Sequence, residues 1–347
     1  MRYRIDPETL REVPDDPEGL TAWLARQRPT THAEWTAVGQ AARLLDRLDE
    51  AERAFRRADD TPATRLRLAQ VRQWQGRFAE ADEACAELLD HPVFGHFAHQ
   101  HAGKSRYEQG DWRAAERHFR IALDLREDPE LRSSSELALD AANACATAAE
   151  VAVELHRLIP PVHRQGARYL HGERPPHTPV LADLASVLAH GPMPLRAVRD
   201  VHRYHPRLEA ALADTDWLVV ADGQVTATER CRAFLVVVNE AHTRAAADLW
   251  PVVPDITVPR VDHPMSVART GETPQARLFD QLRALRQHRG DAHAAAWAEA
   301  GLEVRELPED DPVRRRIEVA TDRAAARPYR ALTRDGRAEL LSALRRL

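Results

Sequence analysis

Three stretches near the start of the chain carry the same anchors at nearly the same spacing, and that repetition commits the span to stacked helical hairpins. The stretches are EWTAVGQAARLLDRLDEAERAFRRA, RLRLAQVRQWQGRFAEADEACAELL and HQHAGKSRYEQGDWRAAERHFRIAL. Aligned, they place Gly39, Ala69 and Gly103 in the first helix of each hairpin, and Ala51, Ala81 and Ala115 in the second. Phe55, Cys85 and Phe119 follow, then Ala58, Leu88 and Ala122. A small residue on each helix lets two antiparallel helices cross closely, and the residue one turn later fills the space towards the neighbouring hairpin. Gly76 and Gly110 stand where a first helix must end in a left-handed residue. Ala81 and Ala115 are 34 residues apart but Ala51 and Ala81 only 30, so the DDTPAT connection must be a tight turn.

These motifs, over residues 33 to 126, resemble the tetratricopeptide repeat family. The resemblance implies a scaffold that receives a partner protein or peptide in a concave groove lined by the first helix of each hairpin. Counted from the shared small residue, that groove carries Gln40, Arg43, Gln70, Gln73, Trp74, Phe97, Gln100, Lys104, Tyr107 and Glu108, with Thr36 beside them. Glutamines would pair with a peptide backbone, Arg43 and Lys104 would hold a carboxylate, and the aromatics would anchor side chains. Lys104 is the one lysine of the chain.

Gly19 to Arg26 reads as a short helix ahead of the array. Ser133 to Leu158 reads as a long alanine-rich helix, a cap or degenerate repeat, ended by Pro160 and Pro161. A repeat domain over residues 1–160 is thus expected, with HGERPPHTP, residues 171–179, as a linker. After it come three helical segments, VLADLASVLAHG, PLRAVRDVHR and HPRLEAALADTD. WLVVADGQVTATE then alternates around Asp222–Gly223, a hairpin signal. Residues 178–228 therefore resemble a winged helix-turn-helix. Arg196, Arg199, Arg203 and Arg207 form a stripe that would meet phosphates, yet residues 178–230 hold five arginines against seven acids. Protein contact is accordingly the favoured role of this unit and nucleic acid the less favoured one. Residues 229–347 read as a helical C-terminal region. In it, Arg230 to Trp250 is one helix, Gln275–Arg289 and Ala292–Ala300 form a hairpin around Gly290–Asp291, and Asp335–Leu347 is the last helix.

Other constellations are weaker. His91, His96, His99 and His101 include an i,i+3 pair, but no third ligand is placed by spacing, so no metal or other cofactor is implied. Arg283 and His288 superficially resemble the arginine–histidine pair of helical HEPN ribonucleases. Ala284 stands where that family has a polar residue, and this pair carries the alternative reading, an enzyme of helical nuclease type. Walker, GxGxxG, GxSxG and HExxH motifs are absent. Cys85, Cys145 and Cys231 are widely spaced, which points to a reducing compartment. The N-terminal MRYRIDPETLREVPDDPEG has no apolar run, and no stretch is long enough to span a bilayer, so a cytoplasmic location is expected. The expectation is a mostly α protein. A tetratricopeptide-type array leads into a winged-helix-like unit with a small β-hairpin and an α-helical end, acting as a non-catalytic adaptor of undetermined oligomeric state.

Overall fold

In a computed structural model of the chain, residues 2–172, 174–304 and 307–347 are described. The fold is mostly α, as expected, and divides into two compact units, residues 1–146 and 147–347. Among the described residues, no helix is long and apolar enough to cross a membrane.

The first unit opens with a two-stranded hairpin of β1 (Tyr3–Ile5) and β2 (Glu12–Pro14), paired antiparallel with Arg4 opposite Val13. Sequence reading passed over this hairpin. Asp6 shapes its turn by accepting from the Glu8 and Thr9 amides at 3.0 and 2.7 Å, and Leu10 completes it with φ at 58°. Helix α1 (Pro17–Ala25) follows, N-capped by Asp16. Then come α2 (His32–Leu44) and α3 (Leu48–Arg57), α4 (Pro62–Trp74) and α5 (Phe78–Ala86), and α6 (Gly95–Glu108) and α7 (Trp112–Leu125). Each pair packs as a hairpin, and α2 with α4, and α4 with α6, are also neighbours.

The repeated anchors lie where their sizes require. A Cβ on Gly39 would stand 2.7 Å from the Phe55 ring, and one on Gly103 would stand 2.5 Å from Phe119. Ala69 and Cys85 share one apolar cluster in the middle hairpin. Gly76 and Gly110 end their helices at φ 77° and 80°, and Asp46 does the same at 58°, a conformation aspartate tolerates better than most residues. The tight DDTPAT turn is realised between the end of α3 at Arg57 and the start of α4 at Pro62, with Thr61 as N-cap.

Helix α8 (Pro129–Tyr169) overturns one expectation: it runs through Pro160 and Pro161 instead of ending there. The two prolines remove the backbone bonds to the carbonyls of His156 and Arg157. Leu158, Ile159 and Val162 around them are all buried, and that packing continues the helix where the local preference would stop it.

The second unit contains α9 (Thr178–Leu188), β3 (Met193–Pro194), α10 (Leu195–Val201), α11 (Leu208–Ala213), β4 (Leu218–Ala221) and β5 (Gln224–Ala227). The expected hairpin turns at Asp222 and Gly223, both at positive φ, and β3 adds a third antiparallel strand in the order β3-β5-β4. Of the linker expected at 171–179, Glu173 lies outside the described residues, and Thr178 already begins α9. Helices α12 (Glu229–Leu249), α13 (Pro274–Glu299), α14 (Pro312–Ala325) and α15 (Arg334–Arg346) complete the unit. The expected break at Gly290 does not occur. A helical glycine costs only about 1 kcal/mol against alanine, and α13 continues through it to pair with α14. The apolar core of residues 178–228 is continuous with that of the helices that follow. Leu184, Val198 and Val225 share one apolar cluster with Leu235 and Val238 of α12 and Ala284 of α13.

Ala81 and Ala115 are 1% and 0% exposed. Ala115→Leu is therefore expected to overpack the α6–α7 crossing and lower stability by roughly 1–3 kcal/mol in urea titration. An unchanged midpoint would mean that the crossing has room for a larger side chain.

Candidate functional site

The side chains expected to face a groove converge on the chain's own N-terminal hairpin. Glu12 of β2 lies 10% exposed, with its carboxylate held by one residue from each first helix. Arg43 of α2 donates to Oε2 at 2.6 Å, Gln70 of α4 to Oε2 at 2.9 Å, and Lys104 of α6 to Oε1 at 2.7 Å. Gln70 and Lys104 each directly follow the small anchor of their helix, and Arg43 comes one turn after Gly39, so the stacking of hairpins brings the three together. Burial alone would raise the Glu12 carboxyl, but Lys104 and then Arg43 outweigh it and hold the group well below the ordinary carboxylate range.

More of the hairpin is fixed by the same helices. The Tyr107 hydroxyl donates to the Glu8 carbonyl at 2.7 Å, and its buried ring meets Trp112 edge-on at 5.0 Å. Arg11 reaches Glu108 at 3.1 Å, and both Arg11 and Arg43 lie over the Trp74 ring, at 4.9 and 4.8 Å. Lys104 and Tyr107, which the groove assignment treats as exposed, are in fact 5% and 0% exposed.

Beside the hairpin remains a cavity of about 690 Å³, bordered by Gln40, Arg43, Gln70, Phe97, Gln100 and Lys104 from the expected set. Gln73 is 2% exposed, and its Oε1 meets no hydrogen-bond partner among the described residues. Among the cavity residues that sequence reading did not place in the groove are Arg67, His101 and Arg126. Arg126, 4% exposed, donates to Gln100 and to the Ser134 and Ser135 hydroxyls, and lies 5.7 Å from the Phe97 ring. Burial pushes its pKa down to about 10, so it remains a cation at pH 7. Burial, reinforced by the Lys104 charge, pushes His101 down to about 3, which leaves it neutral. The other histidines of the cluster diverge. His91 accepts from the Val93 and Phe94 amides, His96 accepts from Arg126, and His99 meets His118 at 3.0 Å.

In the second unit, the four arginines do not form a stripe, because α10 ends at Val201 and leaves Arg203 and Arg207 in the following turn. Arg199 makes two bonds to Glu209, each at 3.1 Å, Arg203 pairs with Asp291, and Arg196 lies 3.8 Å from Asp200. Arg283 is buried against Ser186 Oγ at 2.7 Å and the Asp183 carbonyl. Five residues on, His288 stands about 140° around α13 and is held by the Ala324 backbone, so the two do not share a cleft. Near Arg283, His163 lies 3.4 Å from Asp183 and 3.2 Å from His242. Burial pushes His163 and His202 down to about 4 each and His242 well below its ordinary value, so this cluster meets neutral pH with uncharged imidazoles.

No protein-family model, curated protein or solved structure matches this chain.

Glu12→Ala would leave Arg43 and Lys104 buried without their anion, at an expected cost of roughly 3–5 kcal/mol in denaturant unfolding. A depressed carboxyl pKa contributes stability above the unfolded value of about 4.3 and loses it on acidification. The gap between parent and variant should thus be full at neutral pH and shrink as the pH falls below that value. A gap independent of pH would show that packing, not the ionised carboxylate, holds the hairpin.

Proposed function

We propose that the chain is a non-catalytic adaptor whose N-terminal unit binds a partner protein through the repeat groove. The observation that carries this reading is the Glu12 carboxylate, gripped by donors from three successive helical hairpins while its strand runs across them. A surface that already fits a carboxylate on an extended backbone has the chemistry to take a similar segment from another chain. The tetratricopeptide-type spacing of the anchors supports the same view. Affinity purification of the full chain from its native host, with and without nuclease, tests it. The expected result is a defined set of proteins retained after nuclease treatment. Recovery of no protein, or of proteins lost with nuclease, would remove the adaptor reading.

For residues 178–228, the three helices, the hairpin and the added strand support a winged-helix-like unit that contacts protein. Pairing of Arg199 with Glu209 and of Arg203 with Asp291 leaves few cations for phosphates. The full chain is expected to give no anisotropy change with labelled mixed-sequence duplex at low salt. Binding that falls with a log–log salt slope of about −0.9 per phosphate contact would reverse this assignment.

A further inference from the structure

The hairpin fills only part of the groove, and the edge it turns away from β2 is unused. The Asp15 amide donates to the Arg2 carbonyl and the Asp6 amide to the Arg11 carbonyl, while Arg4 stands opposite Val13. The even-numbered residues of β1 therefore face β2. By the alternation of an antiparallel ladder, the N–H and C=O groups of Tyr3 and Ile5 point to the other side. Among the described residues they meet no hydrogen-bond partner. Pro14, opposite Tyr3, occupies a position where a missing N–H costs the ladder nothing.

Tyr3 and Ile5 both border the 690 Å³ cavity, and so does Arg67 of α4. Arg67 makes no hydrogen bond or ion pair among the described residues. Arg126, on the same cavity, has only neutral partners. Five cations, Arg2, Arg43, Arg67, Lys104 and Arg126, line the cavity against three acids, Glu12, Asp15 and Glu130, so it keeps a net positive charge. Unpaired backbone groups call for an extended peptide, and uncompensated cations call for acidic side chains on it.

We propose that an acidic peptide segment of a partner adds as a third strand to the outer edge of β1, bonding the Tyr3 and Ile5 backbone and placing a carboxylate on Arg67. This rests on the adaptor reading and names the chemistry of what the groove receives. Arg126, held by its neutral partners, contributes charge at longer range, and Phe97 offers an apolar wall.

The test uses the full chain and a labelled peptide, Val-Glu-Val-Glu-Val, read by fluorescence anisotropy. A second peptide carries methyl groups on alternate backbone amides, which blocks strand pairing but keeps the charge. The chain variants are Arg67→Glu, on a partly exposed helix face, and Ile5→Pro, which removes one outward N–H; thermal melts confirm that each is folded. Binding is expected for the unmodified peptide and should weaken about tenfold or more with Arg67→Glu, with Ile5→Pro and with the methylated peptide. Equal binding of the methylated peptide, or full displacement by succinate at matched concentration, would mean a small-anion site and overturn strand addition. So would absence of peptide binding, or binding indifferent to Arg67→Glu. If Arg67→Glu and Ile5→Pro still retain the host partners in the affinity purification, the adaptor reading stands and only the strand-addition site is wrong.

Discussion

Burying the Glu12 carboxylate among three helices would be prohibitive if it stood alone, because removing a charge from water costs several kcal/mol even after relaxation. Here each oxygen has a charged donor, and Gln70 serves both. The reverse holds equally: Arg43 and Lys104, at 1% and 5% exposure, cannot stay buried without that anion. Hairpin and repeats are therefore mutually dependent. The hairpin positions Glu12, while the helix stacking positions its three partners. Tyr107 and Trp74, which support Glu8 and Arg11, are ordered by the same dependence.

How much of this was legible varied with the range of the interactions. The repeat anchors were readable because close helix crossings demand small residues at fixed spacing, and Gly39 against Phe55 and Gly103 against Phe119 are such crossings. Most expected groove residues do face one region, since helix periodicity fixes which side of α2, α4 and α6 they occupy. Its occupant was not readable. Strands of three residues are too short for an alternating pattern, and the partners of Glu12 lie 31, 58 and 92 positions away. Pro160, Pro161 and Gly290 misled in the same way: each weakens a helix locally, and burial around the prolines and packing of α13 on α14 decided the outcome instead. Arg67 and Arg126 carried no signal in a chain so rich in arginine.

Several polar groups of the second unit are buried against its own backbone and hydroxyls. Asp280 accepts from the amide and hydroxyl of Thr270 at 2.7 and 2.6 Å, and Asn239 donates to the Ala185 carbonyl. Arg283 is consumed by Ser186 and the Asp183 backbone. Such bonds specify how α9, α12 and α13 meet in a core made mostly of leucine, valine and alanine, where many packings have similar energy. The apparent basic stripe follows the same economy, with acids from α11 and α13 placed opposite Arg199 and Arg203.

The distance along the chain between Glu12 and Lys104 also orders events during synthesis. At about 5–20 residues per second, Lys104 is added roughly 5–20 s after Glu12. Until then the Glu12 carboxylate has at most two of its three donors, Arg43 and Gln70. Tyr107, which holds the Glu8 carbonyl, and Glu108, which pairs with Arg11, arrive on that same helix. The last hairpin of the array thus supplies the contacts that close the clasp on residues 2–15.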